Sequence, residues 1–251
     1  MANITNHPVV SHEQWVAERK RLLTLEKELT HLRDQVARER RALPWVRVDK
    51  AYTFDAPEGA RTLTDLFEDH RQLVVQHFML GPGWEEGCPS CSFMADHTDG
   101  MNVHLAHRDV TFIAVSRAPL AEIERYRRRM GWKFRWVSSF GSNFNHDFHV
   151  SFIPPEAKGQ VYYNYGMQPF ECEELPGISV FYKDDAGEVF HTYSTYRRGV
   201  EAMMGTYNLL DLTPNGRDEG DGPMAWVRHH DRYEPASAMK VAPAGGSSCH
   251  T

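Results

Sequence analysis

Leu73-Val74-Val75-Gln76-His77-Phe78-Met79-Leu80 runs into Gly81-Pro82-Gly83-Trp84-Glu85-Glu86-Gly87 and then into Cys88-Pro89-Ser90-Cys91. The first run is apolar nearly throughout and strand-sized, which predicts a β-strand buried on both faces. Gly81-Pro82-Gly83 breaks it. From Cys88 to about His107 the pattern is helical, so the cysteine pair sits where a buried strand passes through a glycine loop into a helix. Free N–H groups and the macrodipole favour an anion at such a point, and the anion available is the Cys88 thiolate. Pro89 suits the first helical turn, where its missing N–H costs nothing.

Outward from this stretch the pattern alternates. Val110 to Val115 reads as a second buried strand, Leu120 to Met130 as a helix, and Phe134 to Ser138 as a third strand. A long aromatic and polar connection follows. Ile178 to Tyr182 and Glu188 to Tyr193 then form a hairpin across Lys183-Asp184-Asp185-Ala186-Gly187, and Arg198 to Leu210 closes as a helix. Upstream, Val46, Val48, Tyr52 and Phe54 alternate as in strands, and Thr62 to His70 reads as a short helix. Ser11 to about Leu43 is one long helix, opened by a Ser11/Gln14 capping box and stopped by Pro44. Trp15, Leu22, Leu25, Leu29, Leu32 and Val36 fall along it as a heptad seam, which needs one partner surface, its own domain or a second subunit. The expectation is an α/β protein with a mixed central sheet flanked by helices. Its parts are an N-terminal helical arm (1–44), one domain (45–212) and a C-terminal extension (213–251) disordered at its end.

The chain has 251 residues, 41% hydrophobic and 25% charged, enough for a packed core without staples. No apolar run is long enough to span a membrane, and Met1 to Val10 lacks the pattern of a secretory signal, so a cytoplasmic protein is expected. Lys and Arg number 28 against 34 acids, a net charge of −6 that argues against wrapping nucleic acid. Four cysteines in a chain this long do not form a disulfide framework, and a C-x-x-C pair in a reducing compartment points to redox or metal chemistry.

The order of elements, with C-x-x-C opening the helix after the first buried strand, resembles a thioredoxin fold. More closely, Gly81 to Phe93, Gly177 to Asp184, Leu210-Asp211-Leu212-Thr213-Pro214 and Gly216-Arg217-Asp218-Glu219 resemble a bacterial family of unknown function described as predicted dithiol–disulfide oxidoreductases. The resemblance implies that Cys88 attacks and Cys91 resolves. It also implies a substrate groove shaped by Pro176, as a cis-proline facing the pair, with Trp84, Pro89 and Ser90. No cofactor is implied. The sequence departs from ordinary thioredoxins in carrying Gly87 where a Trp usually precedes the first cysteine, and Pro82 where a buried acid usually stands. Glu85 and Glu86 would raise the Cys88 pKa if they faced it. A peroxiredoxin motif wants Pro seven residues and Thr or Ser three residues before its cysteine, and here those positions hold Gly81 and Glu85.

Other constellations compete. Cys88, Cys91, His104 and His107 scan as C-x2-C-x12-H-x2-H, near a zinc-finger spacing, although the histidines stand closer than such fingers prefer. His146-Asp147-Phe148-His149 is a second candidate metal or substrate cluster. Arg125 to Arg129 with Trp132, Phe134 and Trp136 mixes bases with aromatics as nucleic-acid surfaces do, but also as a solvated helix face over packed rings does. Gly81-x-Gly83-x-x-x-Gly87 misses a dinucleotide fingerprint by one residue. Cys172, near Pro176, is a candidate third thiol, and Cys249 sits in the tail. The partner expected is a protein or small-molecule thiol or disulfide, with a homodimer through the first helix as one option. The leading alternative is a binding module on the same scaffold, using the helical seam and Tyr162-Tyr163-Asn164-Tyr165.

Overall fold

A computed structural model describes residues 7–153 and 159–234. Ten strands and six α-helices are described. The strands are β1 (Val46–Arg47), β2 (Thr53–Ala56), β3 (Gly59–Thr62), β4 (Gln72–His77), β5 (Val110–Ser116), β6 (Arg135–Ser138), β7 (Gln160–Tyr163), β8 (Gly166–Pro169), β9 (Gly177–Lys183) and β10 (Val189–Tyr196). The helices are α1 (His12–Ala42), α2 (Pro89–Ala95), α3 (Asp99–Ala106), α4 (Leu120–Met130), α5 (Phe144–Asp147) and α6 (Gly205–Leu210).

Eight strands make one sheet in the order β1-β10-β9-β4-β5-β6-β2-β3, and β7 pairs with β8 apart from it. β4, β5 and β6 run parallel, while β9 lies antiparallel on the other side of β4 and carries β10 as the return of its hairpin. The hairpin β2–β3 closes the far edge antiparallel to β6. Two parallel crossovers beside an antiparallel hairpin, with the cysteine pair leaving the central strand β4, is a thioredoxin-like fold. The expected α/β class with a mixed sheet, flanking helices and a long N-terminal helix holds.

The central strand divides the core. Leu73 and Val75 point to one face, where they pack with Phe144, Phe148, Phe181 and Phe54. Phe78 points to the other, with Tyr126, Trp132 and Trp136. β4 is therefore packed on both faces, as its mostly apolar sequence requires, with Gln76 and His77 as its buried polar residues. α2 and α6 lie over the second face, joined by Phe93, Met94, Met204 and Tyr207. Met224 and Val227 of the C-terminal extension join that same cluster, so residues 213–234 help to build the core around the cysteine pair.

Several local expectations need correction. The helix expected over Cys88 to His107 is two helices. The Nδ1–H of His97 donates to Phe93 O at 2.7 Å, and the backbone N–H groups of His97 and Thr98 reach back only three residues. That tightening ends α2 before α3 begins. The stretch 62–70 supplies the last residue of β3 and a single 3-10 turn, Asp65–Phe67. The helix expected over Arg198 to Leu210 opens as a 3-10 segment, Arg197–Met203, before α6. The aromatic connection contains the β7–β8 hairpin. α1 keeps its expected ends and its capping box, yet none of its residues is buried. The disorder expected at the end of the tail, and Cys249, lie outside the described residues.

Candidate active site

The loop before Cys88 is held by packing. A Cβ at Gly87 would come within 2.4 Å of the Phe78 ring and 2.8 Å of the Tyr126 ring, so this position excludes any side chain. That is why the residue usually found before the first cysteine of thioredoxins is absent here. Trp84 turns back over Gly81 and packs with Met79 and Cys88 against the same ring cluster. The Cys88 N–H donates to Met79 O at 3.0 Å, and Ser92 Oγ donates to Cys88 O at 2.8 Å while Tyr126 donates to Ser92. His229, buried in the C-terminal extension, donates from Nε2 to Gly87 O at 2.8 Å. Gln76, on the α2 face of β4, donates to Cys91 O at 3.2 Å.

The two thiols are free and unequal. Cys88 is the N-cap of α2 and is partly exposed, and Cys91, one turn in, is buried. The Cys91 thiol hydrogen-bonds to the Cys88 sulfur. Together with the amides of Cys91 and Ser90 and the Ser90 hydroxyl, this outweighs the opposing effect of burial and brings the Cys88 pKa down to about 7. The same bond, burial and the Cys88 charge push Cys91 up. Glu86 does not oppose the thiolate as its sequence position threatened. Burial works against its carboxylate, but Arg129, His229 and Arg232 hold it below the usual range, with Arg129 at 2.8 Å and Arg232 at 2.6 Å. Glu85 is exposed.

Beside the pair opens a cavity of about 520 Å3 whose wall includes Ser90, Cys91, Met94 and Pro176. Of the expected groove residues, Ser90 and Pro176 therefore border it together, while Pro89 and Trp84 do not. The peptide bond before Pro176 is trans, which corrects the expectation of a cis-proline. Sequence reasoning missed the opposite wall, built by Arg197, Met204, Tyr207 and Met224. Its legible signals were the aromatic stretch at 162–165, since Tyr163 donates to Pro176 O at 2.6 Å and accepts from the Arg197 N–H, and the family-like segments that hold Asp211, Arg217 and Glu219 of the same cavity.

The rival sites do not assemble. His104 and His107 are exposed at the end of α3, beyond the break that separates it from the cysteine helix. Among the described residues, no group of three or more His, Cys, Asp or Glu is placed to hold a metal ion, so the tetrad Cys88, Cys91, His104 and His107 does not form. Asp147 is engaged by Lys50 and Tyr52, His146 by Ser151 O, and His149 meets the Tyr162 ring edge-on. On α4, Arg127 and Arg128 pair with Glu124, and Arg129 with Glu86 and Asp231, above the buried rings of Tyr126, Trp132 and Trp136. Cys172 is buried and is not part of the cavity wall. No helix among the described residues is long and apolar enough to cross a membrane.

Residues 4–233 match the family model described as "Bacterial protein of unknown function (DUF899)", and the chain belongs to that family. No curated protein matches. Among solved structures, peroxiredoxin Q of Xanthomonas campestris is similar over 64% of this chain and 96% of its own, at 11% identity and a TM-score of 0.41. The peroxidoxin BcpB of Mycobacterium tuberculosis is similar over 65% of this chain and 97% of its own, at 12% identity and a TM-score of 0.39. The family description assigns no activity, so the chemistry of the site itself must carry any functional reading.

The hydrogen bond between the thiols makes a direct forecast. Because the thiolate is the reactive form, the rate of Cys88 alkylation by iodoacetamide should rise with pH through a midpoint near 7. Cys91→Ala removes the largest stabilising partner and should move that midpoint upward. A midpoint near 9 in the wild-type protein would contradict the described geometry.

Proposed function

We propose that this chain is a thiol–disulfide oxidoreductase in which Cys88 is the nucleophile and Cys91 the resolving thiol. The observation that carries the reading is the asymmetry of the pair, with a partly exposed sulfur stabilised as thiolate and a buried, protonated neighbour hydrogen-bonded to it. In the oxidative half-reaction, the Cys88 thiolate attacks one sulfur of a substrate disulfide. The S–S bond breaks, and the leaving sulfur departs as a thiolate and takes a proton from solvent. Cys91 then loses its proton and attacks the Cys88 sulfur, which expels the second substrate thiol and leaves a Cys88–Cys91 disulfide. Two electrons have passed to the substrate, and a dithiol reductant returns them by the reverse route. Ser90 and Pro176 border the space where the substrate sulfurs meet the pair. The reading fits a cytoplasmic setting, where thiols are kept reduced. The alternative, a binding module on the same scaffold, would use the exposed seam of α1 and the 162–165 aromatics without needing the thiols.

The N-terminal arm completes the proposal. α1 is about 46 Å long at 1.5 Å per residue, and Trp15, Leu22, Leu25, Leu29 and Leu32 stay about half exposed along it. The occupant that fits this seam is α1 of a second copy, in parallel. With Leu22, Leu29 and Val36 at the first heptad position and Leu25 and Leu32 at the fourth, Arg21 meets Glu26 of the partner subunit and Glu28 meets Arg33 of the partner subunit. An antiparallel pair aligned on the same leucines would set Glu26 and Glu28 against their own copies and Arg19 against Arg33. Charge therefore selects the parallel arrangement.

Two outcomes follow. With a disulfide substrate, and in a chain carrying Cys249→Ser so that the tail thiol does not exchange, Cys91→Ala should release one thiol and retain the other as a mixed disulfide on Cys88, visible by intact mass, while Cys88→Ala forms no adduct at the pair. Release of thiol by Cys88→Ala at the wild-type rate would contradict the assignment. The wild-type chain should sediment at twice its chain mass, and the double variants Glu26→Arg/Glu28→Arg and Arg21→Glu/Arg33→Glu should each sediment as monomers yet pair when mixed. A monomeric wild-type chain would contradict the seam's assignment and leave the thiol chemistry untouched.

A further inference from the structure

The cavity beside Cys91 is charged at its rim, and its charges are almost entirely matched within the wall. Arg217 donates to both oxygens of Asp211 at 2.8 Å and to Glu201 at 3.1 Å, and it stacks over Tyr207 at 4.0 Å. Arg198 grips the same Glu201 at 2.7 Å. Glu219 accepts from the Tyr207 hydroxyl at 2.5 Å and from the Met224 N–H at 2.8 Å. Three acids and two of the three guanidiniums are thereby occupied. Arg197 is the exception, since the described residues offer its side chain no carboxylate. It lies over the Tyr163 ring at 5.5 Å and reaches only the amide oxygen of Gln168, at 3.4 Å.

The backbone at Arg197 holds that cation in place. Its φ is +47°, in the left-handed region that a side chain disfavours, and its N–H donates to Tyr163 Oη at 3.3 Å. The same hydroxyl donates to Pro176 O, so one phenol ties Arg197 to a residue of the cavity wall that also holds Ser90 and Cys91. A residue kept in a costly conformation by its neighbours is a feature that clusters at functional sites. Behind the rim the lining is apolar, with Met94, Val200, Met204 and Met224. At about 520 Å3 the space matches a compact organic molecule and is too small for a folded protein partner.

We propose that the cavity binds a low-molecular-weight disulfide bearing a carboxylate, with the carboxylate on Arg197, the apolar body among the methionines and the sulfurs against Ser90 and Cys91, where Cys91 carries its hydrogen-bonded partner Cys88 just outside the cavity wall. This deepens the exchange reading and rests on it. The electron count is that of the exchange above, with the substrate disulfide reduced to two thiols and the protein dithiol oxidised. Arg197 orients the ligand and takes no part in bond making.

The test uses the full reduced chain carrying Cys249→Ser, so that the tail thiol does not contribute, and two aromatic disulfides, the dianionic 5,5′-dithiobis(2-nitrobenzoate) and the neutral 4,4′-dithiodipyridine, with chromophore release as the readout. Arg197→Gln should slow the dianionic reagent about three- to five-fold at low ionic strength, the range of an exposed ion pair, and leave the neutral reagent unchanged. Arg197→Lys should restore much of the rate, and added salt should shrink the difference. Arg198→Gln removes the same charge from a guanidinium already paired and should slow the dianion far less. Equal slowing of both reagents by Arg197→Gln, no slowing of either, or an equal effect of Arg198→Gln would overturn the carboxylate site while leaving exchange intact. If Cys88→Ala reacted with both reagents as fast as wild type, the exchange reading itself would fall.

Discussion

The hydrogen bond from Cys91 to the Cys88 sulfur depends on a loop held by packing and backbone hydrogen bonds. Gly87 is wedged against the Phe78 and Tyr126 rings, Cys88 is tied by its N–H to Met79, and Ser92 fastens the first turn of α2 to Cys88 O. The rings are the far face of the central strand, so the position of the thiolate is set by the same packing that holds the sheet together. Removing a buried ring such as Phe78 would cost about 3–5 kcal/mol and would also release the loop. Stability and chemistry share one set of contacts here.

The C-terminal extension belongs to that set. His229 holds the carbonyl of Gly87, Arg232 neutralises Glu86, and Asp231 pairs with Arg129 of α4. Met224 and Pro223 close one side of the cavity. The extension thus sets the electrostatics of the loop, by keeping Glu86 away from the thiolate, and supplies a wall of the cavity. In contrast, none of the residues of α1 is buried, and Arg40, near its end, lies over Tyr193.

What could be read in the sequence was whatever local pattern decides. The largely apolar run at 73–80, the capping box at Ser11 and the strand–helix–strand order follow from periodicity and end signals, and they place the cysteine pair at a helix start. The split after Ala95 was not legible, because it depends on a His97 ring bonding to Phe93 and to Thr206, far away in the chain. The second cavity wall was hidden for the same reason. Arg197 and Tyr207 look like ordinary residues of a helix until the fold sets them opposite Ser90 and Cys91, and Arg217 stood out only through its family-like segment, with nothing to say what it faced. The rival zinc spacing does not close because Cys88 and Cys91 open α2, whereas His104 and His107 stand at the end of α3, beyond the break between the two helices. The charges of α4 read correctly as a solvated face, since Glu124 lies within one turn of Arg127 and Arg128.

The central claim is that Cys88 and Cys91 work as one reversible redox couple. It is tested most directly by equilibrating the protein across a dithiol/disulfide series, alkylating the free thiols and reading the pair by mass spectrometry. The account predicts a single two-electron transition, in which an intramolecular Cys88–Cys91 disulfide forms and opens at one defined midpoint. A pair that stays fully reduced across the whole series, or that oxidises only to separate adducts on each sulfur, would contradict it.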